Sequence, residues 1–154
     1  MAGGWGHWDA SWLWSLPLFA ITIAIHAVGV VAIAHGLVVW RRGHPRGDNF
    51  PYARIEAIGI IVVVALILGA LHAIECCIWA AVYVHLGAFP TVADAALYSV
   101  DSMTTRGSST GTGMEEHWRM MGAIEAGNGM LLFGISTAFL FAVMAGLWKK
   151  PVGG

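Results

Sequence analysis

The chain has 154 residues, of which 58% are hydrophobic and only 11% charged, with a formal net charge of −1. So little charge cannot cover a water-soluble domain, and the near-neutral balance offers no basic surface for nucleic acid. A mean hydropathy of +0.71 points instead to a lipid bilayer.

The N-terminal stretch Met1 to Asp9 carries no basic residue, so no cleaved signal peptide is expected there. Trp5, Trp8, Trp12 and Trp14 read as an aromatic belt at one membrane interface. Residues 12–40 contain no acid, Lys or Arg and predict a first transmembrane helix. The link 41–56 follows, with Arg41, Arg42, Arg46 and Arg54. Residues 57–88 predict a second span, whose one acid is Glu75, and residues 118–148 a third, whose one acid is Glu125. Lys149 and Lys150 come next, so six of the eight basic residues fall on one side of the three spans. The positive-inside rule then puts the N-terminus outside and the C-terminus in the cytoplasm of a multi-pass protein of the inner (plasma) membrane. Adjacent Cys76 and Cys77 sit in an apolar run and read as packing residues, because neighbouring cysteines rarely bridge.

Between the second and third spans, residues 91–104 predict a short helix. Thr91 and Asp94 form a capping-box-like start, and the Ala- and Leu-containing body stops before Gly107. Such a helix covers roughly 20 Å and cannot cross. Residues 105–113 then carry Gly107, Gly111 and Gly113 and predict irregular backbone. A half-length helix returning as irregular chain is a re-entrant loop, tolerated only inside protein or beside a water-filled cavity. The alternative is a helix lying flat on the headgroups, followed by a loose loop.

Three stretches carry a family resemblance: Ala96-Leu-Tyr-Ser-Val-Asp101, Ser102-Met-Thr-Thr-Arg-Gly-Ser-Ser-Thr110 and Ile124-Glu-Ala-Gly-Asn-Gly-Met-Leu-Leu-Phe-Gly-Ile-Ser-Thr-Ala-Phe-Leu140. Together they resemble the pore helix, selectivity filter and inner helix of the potassium-channel-like pore-loop family, in particular its small bacterial members. The resemblance covers roughly residues 70 to 145. It implies an all-α membrane protein of three transmembrane helices plus a re-entrant pore helix and filter loop, assembled as a homotetramer around a central pore. The filter would be Thr104, Thr105, Arg106, Gly107, Ser108, Ser109 and Thr110. Gly129 and Gly134 fall where such inner helices hinge, although close helix packing explains membrane glycines equally well. Thr137 and Ser136 would line the lower cavity.

The filter departs from the family pattern at several positions. Ser109 replaces its second glycine, Ser108 its bracing tyrosine and Arg106 its valine. Carbonyls that strip an ion of water need that frame, so the expectation is a wider, hydrated filter with weak or absent potassium selectivity. Arg106 has two orientations open to it. Turned back, it pairs with Asp101 behind the filter and replaces the missing brace. Turned inward, it rings the axis with positive charge and blocks cations or admits anions. Glu115 and Glu116 would concentrate cations at the outer mouth, unless they merely form a solvated helix start.

Ionisable groups inside spans are functional suspects. His72 and Glu75 share a helix face, and counting along the spans puts His26 at the depth of His72. These three predict an intramembrane polar clamp, a pH- or metal-responsive gate, or a transition-metal site. Glu125 is free to join them or to reach the backbone behind the filter, and His35 reads as packing or interfacial. Two alternatives to a cation channel follow. One is a channel-like protein that is non-conducting or anion-permeable. The other is a membrane protein holding metal or haem through His26, His35, His72 and Glu75. The leading reading implies no cofactor beyond permeating ions such as potassium or sodium, and no partner beyond lipid and further copies of the chain. No nucleophile–base pair points to an enzyme, and no cytoplasmic ligand domain or arginine-repeat voltage sensor is evident.

Overall fold

The computed structural model describes residues 5–43, 50–107 and 118–148, and the regular structure among them is all helical. Four helices follow in order: α1, Trp5–Gly43; α2, Phe50–His85; α3, Val92–Met103; and α4, Arg119–Trp148. Within them Ser11–Gly43, Arg54–His85 and Arg119–Leu147 are long and apolar enough to cross a membrane. The described residues are thus all-α, with three helices of the length and composition of a membrane-inserted protein. α3 has 12 residues and reaches only about 18 Å.

The link between the first two spans is shorter than residues 41–56. α1 runs on through Arg41 and Arg42 to Gly43, and α2 already begins at Phe50. Arginine is a good helix former, and Pro51 stands in the first turn of α2, where a missing N–H is tolerated. α1 also starts at Trp5, ahead of its apolar run, and carries Pro17 inside it.

The bundle is apolar on its outer face and sets polar residues among the apolar ones of its interior. The buried stripe of α1 is Ser11, Ser15, Leu18, Thr22 and His26, at helical spacing, while Leu13, Val28 and Val31 face outward. α2 buries Val64, Leu68, His72, Glu75, Trp79 and Tyr83, and α4 buries Glu125, Asn128, Leu132 and Ser136. Lipid is as apolar as leucine, so an exposed leucine costs nothing there, while polar groups must find each other inside.

α3 packs across α2 and the first half of α4. Its start is fixed by Thr91, whose hydroxyl oxygen accepts the Asp94 N–H at 3.1 Å. An aromatic group then ties it to α2: Tyr98 meets Tyr83 edge-on at 5.4 Å, and Phe89 lies 4.9 Å from Tyr98. Against α4 the approach is closer still. A Cβ added at Gly129 would collide with the Met103 carbonyl, and one added at Gly122 with the Tyr98 hydroxyl. Gly134 has open space around it, because five residues carry it about 140° around the helix from Gly129.

Gly129→Ala is therefore expected to destabilise the folded chain by about 1–3 kcal/mol through overpacking. Gly134→Ala should leave it unchanged or slightly more stable. Thermal unfolding in detergent reads both, and equal midpoints for the two variants would contradict the close approach of α3 to α4.

Candidate functional site

Two neighbouring features carry the chemistry-bearing residues: the tip of α3 and a column of polar side chains between the long helices.

The tip is a helix end of defined type. The Arg106 N–H bonds the Asp101 carbonyl and the Thr105 N–H bonds the Ser102 carbonyl, each at 2.9 Å. These six-to-one and five-to-two bonds make a Schellman cap, which needs a left-handed residue at Thr105. The end of α2 is built the same way, with Ala88 N–H on the Tyr83 carbonyl and Gly87 N–H on the Val84 carbonyl. There the left-handed residue is Gly87, at φ 71, which has no side chain to oppose it. At α3 it is Thr105, at φ 58, a β-branched residue in a conformation that costs it about 1–2 kcal/mol. Gly107, two positions on, is left-handed too, at φ 75. Thr104 turns its hydroxyl back onto the Val100 carbonyl at 2.7 Å. Thr104, Thr105, Arg106 and Gly107 all lie at the surface of the single chain.

Arg106 Nη1 lies 3.3 Å from Asp101 Oδ1. The carboxylate is buried, at 2% exposure, but the guanidinium side chain is 68% exposed, so the pair is not enclosed within one chain. Ser108, Ser109, Thr110, Glu115 and Glu116 lie outside the described residues.

The polar column runs in three layers. Nearest the tip, Glu125 accepts the Tyr83 hydroxyl at 2.8 Å and also the Ser99 hydroxyl. Ser99 in turn lies 3.0 Å from the Cys76 carbonyl. Glu125 thus binds α2 and α3 and does not join the histidines. Ser136, which does, stands eleven residues further along α4, roughly 16 Å away. In the middle layer, Asn128 donates to Thr22 at 2.6 Å, and Thr22 donates to the Leu18 carbonyl at 2.9 Å.

The third layer brings together His26, His72 and Glu75. His26 Nδ1 is 2.8 Å from Glu75 Oε1, and His72 Nδ1 is 3.2 Å from Glu75 Oε2. The His26 and His72 rings lie 5.0 Å apart, and Phe133 stacks on His72 at 4.1 Å. On the far side of both rings sits Ser136, whose Oγ is 3.0 Å from His26 Nε2 and 3.1 Å from His72 Nε2. All four residues are at most 8% exposed. His35 lies at the surface of α1, away from this group.

Thr137 follows Ser136 but faces outward. The sequence pointed to the ionisable members of the column, yet not to their neutral partners Tyr83, Ser99, Thr22 and Asn128. Their signal is polar spacing: Thr22 and His26, and Glu125 and Asn128, stand three or four apart inside apolar helices. Compared with known proteins, the chain matches no family model, no curated protein and no solved structure.

Thr105→Gly is expected to stabilise the chain by about 1–2 kcal/mol, seen as a raised unfolding midpoint, by releasing the left-handed strain. Glu125→Ala should cost about 1–3 kcal/mol for the Tyr83 hydroxyl it orphans, since Ser99 keeps the Cys76 carbonyl as an acceptor. Thermal unfolding of Glu125→Ala beside the smaller deletion Ser99→Ala would show the difference, the former losing more.

Proposed function

We propose that the protein is a pore-loop ion channel, four copies around one axis, passing cations with weak or no selectivity for potassium. The observation that carries this reading is α3 and its ending. A helix too short to cross is wedged between two spanning helices and finishes in an exposed turn with left-handed backbone at Thr105 and Gly107. Non-helical backbone held inside a bilayer belongs beside water, and strained residues of this kind cluster at functional sites. The likeness of residues 96–110 and 124–140 to a pore helix, filter and inner helix supports the same assignment.

In this reading, with the Arg106 side chain turned back to Asp101, the backbone of Thr104 to Gly107 of each copy lines the axis. α4 offers it an unpartnered row at helical spacing: Met130, Gly134, Thr137 and Phe141, all exposed in the single chain. Gly129 serves the packing of α3 rather than a hinge, which leaves Gly134 for bending. The 3.3 Å approach of Arg106 to Asp101 favours the cation reading. It offsets the arginine charge and leaves backbone and hydroxyl oxygens for the ion. The N-terminus is outside and the C-terminus cytoplasmic, as the basic residues order it.

Proteoliposomes under potassium, sodium, calcium and chloride gradients test this. Potassium and sodium should pass at similar rates, and native mass spectrometry should find four chains. Asp101→Asn should reduce cation flux by freeing the arginine charge, and Arg106→Val should restore it in that background. Silence in every gradient would overturn the channel, and chloride flux alone would turn Arg106 to the axis.

A further inference from the structure

We infer that His26, His72 and Glu75 form a binding site for a first-row divalent metal ion, with zinc the best-fitting occupant. The site does not depend on the channel reading, since none of its donors belongs to the filter.

The donor set comes first. Two imidazoles and one carboxylate suit zinc and its neighbours, while soft monovalent copper prefers sulfur. The nearest thiol, Cys76, turns its sulfur to Met103 instead, at 3.5 Å. The donor atoms of His26, His72 and Glu75 lie within 4.8 Å of one another. Two atoms each about 2.1 Å from one tetrahedral ion sit about 3.4 Å apart. The 3.2 Å between His72 Nδ1 and Glu75 Oε2 is close to that spacing, while His26 Nδ1, at hydrogen-bond distance of 2.8 Å from Glu75 Oε1, would move apart from it to admit the ion.

The hydrogen bonding points the same way. His72 Nδ1 and Glu75 Oε2 are 3.2 Å apart, yet neither has a hydrogen-bond partner, because the N–H direction and the oxygen do not line up. Two buried polar atoms side by side without a bond are costly in a membrane interior. An ion between them would satisfy both.

Ser136 supplies the second shell. Its oxygen stands between the two Nε2 atoms, and a hydroxyl oxygen has two lone pairs. It can accept from both rings only when each carries its proton on Nε2. That tautomer frees both Nδ1 lone pairs, on the side of the rings where Glu75 lies. A hydrogen-bonded outer nitrogen is how ligating histidines are ordinarily held. In the absence of an ion the His26 proton sits on Nδ1, at hydrogen-bond distance from Glu75 Oε1, and Ser136 donates to His26 Nε2 while accepting from His72 Nε2. The bound ion would join α1 to α2 at mid-helix and, through Ser136, both to α4. Three protein donors leave a further coordination position open.

Full-length protein in detergent, stripped with a chelator, is titrated with Co2+ and then with Zn2+. One Co2+ per chain should give the visible ligand-field bands of a four-coordinate nitrogen and oxygen site, and Zn2+ should displace it and raise the unfolding midpoint. His26→Gln and Glu75→Gln should abolish the bands, and Ser136→Ala should weaken binding about 10–100-fold while keeping them. X-ray absorption on the wild-type zinc complex needs no variant to fold. It should find nitrogen and oxygen neighbours with two imidazoles, whereas a sulfur shell would move the ion to the cysteines and overturn the site. Absence of bands and of any zinc-dependent shift in folded wild type would overturn it as well, and so would full binding by Glu75→Gln.

Discussion

A bilayer gives a buried carboxylate no water, so Glu75 and Glu125 must each be surrounded by donors that the helices carry themselves. Most of the architecture follows from that need. Glu75 is bonded to His26 of α1 and lies 3.2 Å from His72 of its own helix, and Ser136 closes the group from α4. Glu125 collects Tyr83 from α2 and Ser99 from α3. Every helix therefore contributes to at least one of these two groups. Their apolar surroundings pack well enough, but apolar packing alone does not choose one rotation of a helix over another in lipid. The two acids do choose, because turning any helix by one residue would strand a polar group in hydrocarbon.

What the sequence made legible was the coarse frame and the ionisable members. Long uncharged runs mark the spans, and Thr91, Asp94 and Gly107 bracket α3, because spanning length and helix capping are local properties. His26 could be matched to His72 and Glu75 by counting depth along two antiparallel helices, since the bilayer supplies a common ruler. The partners of Glu125 were not legible. Serine, threonine and tyrosine are unremarkable in an apolar helix, and which way they face depends on helix rotation, which no single segment determines. Nor could the sequence separate a packing role for Gly129 from a hinge. That distinction rests on the Met103 carbonyl lying against it, a contact between segments far apart in the chain.

The tip of α3 and the polar column are physically continuous. Ser99 lies in α3 and bonds Glu125, Asp101 lies half a turn on and faces Arg106, and Met103 ends the helix against α4. A change in the exposed turn therefore reaches the bundle interior through one short rigid element. The third layer adjoins this route through Cys76, which follows Glu75 in α2 and meets both Ser99 and Met103 of α3.

The two Schellman caps have an evolutionary consequence. One ends α2 at Gly87 and the other ends α3 at Thr105, and Thr91 fixes where α3 begins. Between these stops α3 has no slack to absorb an added or lost residue. A single insertion would swing everything beyond it by about 100° and take Ser99 from Glu125 or Asp101 from Arg106. Residues 91–105 should thus behave across lineages as a cassette of invariant length, drifting by substitution and never by insertion or deletion.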